Sequence, residues 1–470
     1  MKMLIGEKWV DTKEKINVTN PYDGSLIDTV PSGTDRHVNE AVTCAVKGFE
    51  MNRRMPVHKR ISILQGVAAR LQERTEEFAR TIATEGSKTI REARKEARRA
   101  VQTITISAEE ARRILGETLP FDSMPGSENR LGYYFRFPIG VIAAITPFND
   151  PLNLVAHKIG PAIASGNSVV LKPATVTPLS ALKLAEIFIE AGLPWNILNV
   201  VTGYGDRIGD ALVTDDRVRM ITFTGGTEAG LEITKKAGLK KIGMELGSNC
   251  PVIVMDDADL DKAVELSVSG AFWAVGQNCI GVQRLYIQES IRDEFQKRFV
   301  RLTKKYKTGY QLDEDTDMGP MITEKEAERV EAWVKEAVNG GAKLLTGGTR
   351  KGTLFQPTVL ADVPPGSKLD CEEVFGPVVC LYSIRTLDEA IEKANNVKYG
   401  LHAAIFTRSI DHAFKAIQGL EFGGVIVNDS TDYRIDLMPF GGIKMSGLGR
   451  EGVKFAIQEM TEPKVVCFNL

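Results

Sequence analysis

The residue best placed for covalent chemistry is Cys279, in the stretch GQNCIGVQR (276–284), which follows the apolar run AVELSVSGAFWAV (263–275). A cysteine there fits three roles: a small buried hydrophobe, half of a disulfide, or a thiolate nucleophile. A nucleophile needs partners. His157, Glu245 and Glu373 are candidate bases, and Asn149 is a candidate amide donor. A thiolate that adds to a carbonyl creates an oxyanion, which an amide N–H stabilises. A carboxylate could then activate water to cleave the thioester. The six cysteines include no CxxC pair, so a disulfide framework or zinc ribbon is a poor reading. The five histidines show no HExxH or HxH pattern, and no metal site is expected.

These residues need a scaffold. From residue 139 short β-branched runs alternate with capped helical stretches: GVIAAITPF, SVVLKP, ILNVVTG and RMITFTGG are strand-like. Between them the spacing predicts helices that start at Asp150–Pro151 and Thr177–Pro178 and end at Gly166 and Gly192. This is the grammar of a doubly wound α/β domain. A second apolar series, from PVIVMD to GGVIVND, predicts another α/β domain. Residues 129–140 and the tail EPKVVCFNL fit neither. They read as edge strands that pair with each other or with another subunit. The charged run REARKEARRA (91–100) reads as a solvated helix face, because glutamates interrupt its basic residues.

With 470 residues more than one domain is expected, and 43% apolar with 26% charged residues is ordinary globular composition. A net charge of −2 gives no reason to expect nucleic acid or an anionic membrane. The N-terminus lacks the apolar core of a signal peptide, and no run is long enough to span a bilayer. The expected location is cytoplasmic.

Two glycine clusters could meet a phosphate. TGYGDRIGD (202–210) spaces Gly203, Gly205 and Gly209 as GxGxxxG and reads better as a turn into a helix. TFTGGTEAG (222–230) ends a strand and opens a helix, so the N–H groups near Gly225 and Gly226 could hold a pyrophosphate. Lys172 would stand at the same carboxyl edge of the sheet, where ligands bind in such folds.

Taken in order, PFNDP, LKPA, FTGGTEAG, MELGSNCP, GQNC, EVFGP and PFGGIKMSGLGREG resemble the motif series of the aldehyde dehydrogenase superfamily over nearly the whole chain. The resemblance implies a Rossmann-like NAD(P)-binding domain (1–118 and 141–247), an α/β catalytic domain (248–446) and a small β oligomerisation element (119–140 and 447–470). It implies Cys279 as nucleophile, Asn149 and the Cys279 N–H as oxyanion hole, and Glu245 as the base for deacylation. Lys158 and Glu451 match proton-relay positions. Lys172, Thr175, Gly225, Gly226, Leu246, Glu373 and Phe375 match the cofactor site. A homodimer or homotetramer is implied.

Some positions depart from the pattern. Thr175 stands where NAD-preferring members often carry glutamate, so NADP is favoured over NAD. Gly226 and Ser248 replace a serine and a glycine. Asn153, His157, Asn278 and Arg434, with Thr105, make a polar set of substrate candidates, suited to a small hydroxylated or anionic aldehyde such as lactaldehyde. Succinate semialdehyde and glyceraldehyde 3-phosphate are alternatives. Asn278 and Thr105, where some relatives carry arginine, argue against a phosphate or phosphonate dianion. A cysteine amidohydrolase using Cys279 with His157, or a noncatalytic structural relative, would leave the cofactor motifs or the Cys–Asn–Glu set unexplained.

Overall fold

The computed structural model describes all 470 residues, Met1–Leu470. Two large sheets meet near the middle of the chain. The first has eight strands, in the order Lys8–Val10, Met3–Ile5, Leu198–Val200, Ser168–Lys172, Val141–Ile145, Val218–Thr224, Lys241–Glu245 and Gly447–Leu448. Its five central strands are parallel. The four strands that read as continuous apolar runs are buried along nearly their full length, as strands covered on both faces require. The chain winds outward from Val141–Ile145 in one direction, then returns to its other side with Val218–Thr224. That reversal opens a crevice at the carboxyl ends of the strands.

The second sheet has seven strands centred on Cys250–Val254 and Val282–Gln288. Only residues 246–249 separate the carboxyl end of Lys241–Glu245 from the amino end of Cys250–Val254. The carboxyl edge of one sheet therefore abuts the amino edge of the other. The two leftover segments pair with each other: Arg130–Pro138 runs antiparallel to Thr461–Asn469, with Glu117–Leu119 as a third strand. Gly447–Leu448, by contrast, extends the eight-stranded sheet beside Met244 and Glu245.

The helix ends are partly as expected. Gly166 and Gly192 take φ +91° and +87° just past their helices, the left-handed turn that favours glycine. The starts differ. The first helix is Asn153–Ala164, and its leading N–H groups, on Leu152 and Asn153, donate to Glu96 at 2.8 and 3.1 Å. Asp150 turns to Lys88 instead. The second helix is Leu179–Glu190, capped by Glu85 through the N–H groups of Leu179 and Ser180, so Thr177 does not cap. In both cases a carboxylate distant in the chain takes the place of the local side chain, because it accepts two of the helix's unpaired N–H groups at once.

The same contacts correct the reading of REARKEARRA. It lies on the helix Ile90–Glu110, but Glu92 and Glu96 are buried with Ala93, Ala97 and Ala100. Only the Arg and Lys positions approach solvent.

Candidate active site

A cavity of about 390 Å³ lies where the two sheets meet. Cys279, Asn278 and Asn149 stand on its wall, as does Arg434. Asn149 is carried by the loop after Val141–Ile145, and Cys279 lies just before Val282–Gln288. Burial pushes the Cys279 thiol well above its ordinary pKa, Glu373 adds to the rise, and Arg434 opposes it.

The helix expected to lead into Cys279 ends early, at Phe272. Ala274, Val275 and Gly276 then take φ of 50°, 62° and 66°, three left-handed residues in a row. Such a conformation costs roughly 1–2 kcal/mol for each residue with a side chain. Gly276 is required: a Cβ would stand 2.2 Å from the Gly376 carbonyl oxygen.

Glu245 ends its strand beside Gly447, buried, with one carboxylate oxygen lacking any hydrogen-bond partner. Burial raises its pKa well above 4.5 and the neighbouring Glu451 raises it further, against Arg434 and Lys158. A small buried cavity of about 20 Å³ joins Glu245, Glu451, Thr222 and His157. Lys158 donates to Glu451 at 2.9 Å and to the Thr222 hydroxyl at 3.0 Å. Burial alone would raise the Glu451 pKa, but Lys158 and then Arg434 hold it down to about 2.

Asn153 and His157 are not brought to the cavity wall. Both are fully buried beneath it, on Asp436: His157 Nε2 lies 2.8 Å from Asp436 Oδ1 and Asn153 Nδ2 3.2 Å. Burial first, then Arg434, lowers the His157 pKa, with Asp436 opposing, and Nε2–H donates to the Asp436 carboxylate. A Cys279–His157 hydrolase pair is therefore not assembled. Thr105 is also absent from the cavity; it is exposed and bonds back to the Val101 carbonyl. The helix Ile90–Glu110 presents Lys95 and Arg99 instead.

Sequence reasoning missed that pair and Asp436. Arg99 donates to Asp436 at 2.8 Å, and Lys95 lies 4.7 Å above the Trp273 ring with no carboxylate partner. Arg434 packs over Phe440 at 3.7 Å and donates to Glu451 at 3.2 Å. Lys88, also on the wall, is consumed by Glu96 and Asp150. One signal was available: Ala93, Ala97, Ala100 and Ile104 mark the buried stripe of the helix, and Arg99 lies beside it.

A second cavity, of about 370 Å³, opens at the carboxyl edge of the eight-stranded sheet between Lys172, Thr175, Phe223 and Ala229. Gly205 and Gly209, from the cluster read as a turn into a helix, also line it. Lys172 is 94% buried, and its only hydrogen bond is to the adjacent Pro173 carbonyl. Burial lowers its pKa to about 8, with only Asp206 opposing. A buried cation without an anion beside it suits a phosphate or polar sugar. Gly226 precedes the helix Thr227–Lys236 and has open space where a side chain would stand. Leu246 is buried against Gly230, where a Cβ would stand 2.4 Å from it.

Glu373 accepts the Ser248 N–H at 2.9 Å, and a Cβ on Gly247 would clash with it. Burial raises its pKa to about 7, against that N–H. Phe375 meets Phe148 edge-on at 5.7 Å. No group of three or more His, Cys, Asp or Glu is arranged to hold a metal ion.

Known proteins share this arrangement in sequence and fold. The aldehyde dehydrogenase family profile matches residues 9–466. The chain is 50% identical to aspartate-semialdehyde dehydrogenase 1 of Pseudomonas canavaninivorans, covering 97% of each chain. It is 48% identical to 3-sulfolactaldehyde dehydrogenase of Priestia megaterium, over 100% of this chain and 98% of that one. Glyceraldehyde-3-phosphate dehydrogenase of Methanocaldococcus jannaschii, solved with NADP, superposes with a TM-score of 0.94 at 42% identity, over 98% of this chain and 100% of that one. The match over residues 9–466, with relatives about half identical over nearly the full length, places this chain in the aldehyde dehydrogenase family.

Proposed function

We propose that the protein oxidises a small anionic or hydroxylated aldehyde to the carboxylic acid, through a Cys279 thioester and with NADP preferred over NAD. The observation that carries the substrate class is the cavity wall around Cys279. Lys95, Arg99 and Arg434 line it together with Asp429 and Asp432; Arg99 and Arg434 are paired to Asp436 and Glu451 beneath the wall, whereas Lys95 makes no ion pair. Such a wall stabilises a carboxylate, sulfonate or phosphate on a short substrate and disfavours a long alkyl chain. The relatives' names point the same way, since aspartate semialdehyde, sulfolactaldehyde and glyceraldehyde 3-phosphate all carry an anion. The weaker expectation for a dianion rested on Thr105 and Asn278; Arg99 and Lys95 supply the charge that those positions lack.

Cys279 loses its proton and its sulfur bonds to the aldehyde carbon. Asn149 and the Cys279 N–H donate to the oxyanion. The nicotinamide, when bound, serves as hydride acceptor. Glu245 then takes a proton from water, which attacks the thioester carbon and releases the Cys279 sulfur. Lys158 and Glu451 would relay that proton away from Glu245 toward solvent. Lys172 and Glu373 would hold the two riboses, with Phe375 against the nicotinamide. Thr175 brings no carboxylate to repel a 2′-phosphate, which supports NADP. A catalytic thiol needs a reducing compartment, which supports the cytoplasm.

The test is NAD(P)H formation from sulfolactaldehyde, succinate semialdehyde, lactaldehyde and hexanal. The expected order puts the anionic aldehydes first and hexanal last. Cys279→Ala abolishes turnover, and Arg99→Gln lowers kcat/KM for the anionic substrates about tenfold or more. Faster turnover of hexanal would overturn the substrate class; full activity of Cys279→Ala would overturn the mechanism.

A further inference from the structure

The left-handed turn before the nucleophile does not hold itself. Val275 is β-branched and buried, and β-branched residues almost never take φ of 62°. Such a conformation persists only where its surroundings over-determine it. The fixing contact comes from 182 residues away: Glu92 accepts the Ala274 N–H at 2.9 Å. Its other carboxylate oxygen accepts the Thr89 N–H at 2.8 Å and the Thr89 hydroxyl at 3.1 Å.

The Thr89 N–H contact, with the Glu92 N–H donated back to the Thr89 hydroxyl at 3.4 Å, forms the capping box at the start of the helix Ile90–Glu110. Glu92 thus ties a rigid helix end to the strained turn. On the far side, Gln277 accepts the Ile322 N–H at 3.0 Å. Thr431 donates to the Ile280 carbonyl at 2.7 Å. Cys279 hangs between these anchors.

We propose that Glu92 is a positioning residue for Cys279: its carboxylate holds the turn at residues 274–276 and so sets where the thiol stands relative to Asn149. The proposal rests on Cys279 being the nucleophile. Glu92 touches neither sulfur nor substrate; it acts through the backbone of the loop. A misplacement of about 1 Å at a reacting atom lowers rate by about a hundredfold.

The experiment compares Glu92→Ala, Glu92→Gln, Glu92→Asp and Thr89→Ala by kcat, by KM for the dinucleotide, and by the rate at which iodoacetamide alkylates Cys279 without substrate. Thr89→Ala removes the hydroxyl half of the capping box but leaves the Ala274 contact. Glu92→Gln keeps an oxygen for Ala274. Glu92→Asp is one methylene short of reaching the turn while still able to cap. Expected are a fall in kcat of about 10- to 100-fold for Ala and Asp, an altered alkylation rate, unchanged dinucleotide KM, and Gln and Thr89→Ala within about threefold of wild type.

Equal losses in Thr89→Ala and Glu92→Ala would overturn the proposal in favour of a simple helix cap. So would an unchanged kcat in folded Glu92→Ala. If the alanine variant does not fold, the Gln–Asp pair decides: Asp as active as Gln, or more so, overturns it. Loss of the nucleophile assignment itself would appear separately, as activity in Cys279→Ala.

Discussion

Cys279 and Glu245 share a constraint. Burial raises both pKa values and so favours the protonated forms, yet each must lose a proton to act as nucleophile or base. The expected consequence is a kcat/KM that climbs with pH through neutrality into the alkaline range. A profile flat from about pH 6 to about 9 would contradict it. Lys172 runs the other way. Its folded pKa of about 8 lies below 10.5 because burial disfavours the charge. Below about pH 8 the ammonium is present and can meet a 2′-phosphate; above it the free enzyme must take up a proton to bind. The dissociation constant for NADP should therefore rise as pH passes about 8, up to about tenfold per unit, while that for NAD changes less. Titration of both cofactors by intrinsic fluorescence checks this, and a constant NADP-to-NAD ratio across the range counts against it.

The helix Ile90–Glu110 is the element on which the site depends. One face gives Lys95 and Arg99 to the cavity, while Glu92 and Glu96 enter the interior. Glu96 bonds Lys88 at 2.7 Å and caps the helix Asn153–Ala164, which carries Lys158. Its removal leaves the buried Lys88 with Asp150 alone and leaves helix N–H groups without a partner. Glu96→Ala should therefore cost about 3–5 kcal/mol, read by urea denaturation. A loss under about 1 kcal/mol would show that Asp150 suffices. Charge alternation made this helix look solvated. A sequence window sees that glutamates interrupt arginines, but not that other elements bury them.

The whole molecule presents a face that a single chain does not cover. On the three-stranded sheet, Leu131, Tyr133 and Phe135 are 60%, 41% and 40% exposed. Phe468 sits opposite Leu131, with its ring 6.5 Å from that of Tyr133. Contiguous exposed aromatics of this kind mark association surfaces. The protein is expected to assemble through this sheet as a dimer or tetramer. Tyr133→Glu with Phe135→Glu should shift it to a smaller species in size-exclusion chromatography with light scattering. An unchanged mass would place the interface elsewhere. No helix is long and apolar enough to cross a membrane.

Cys279, Asn149, Glu245, Lys172 and Glu373 were singled out through the ordered series of motifs that resembles the aldehyde dehydrogenase superfamily, not through any one of them. Each motif is a short local stretch that can be read along the chain. The pairing of the two spare strands was legible for the same reason, since alternation shows along a single segment. What only the tertiary structure decided involves partners far apart in the chain. Arg99 and Asp436 are 337 residues apart, and Glu92 and Ala274 are 182 apart. Buried carboxylates from elsewhere cap both helices whose starts were misplaced, His157 is drawn under the cavity by Asp436, and Ala274 and Val275, ahead of Cys279, adopt a backbone their own side chains disfavour. Local propensity contributes tenths of a kcal/mol to about one kcal/mol per residue. A buried charge that needs partners outweighs it, and those partners are defined only once the chain has folded.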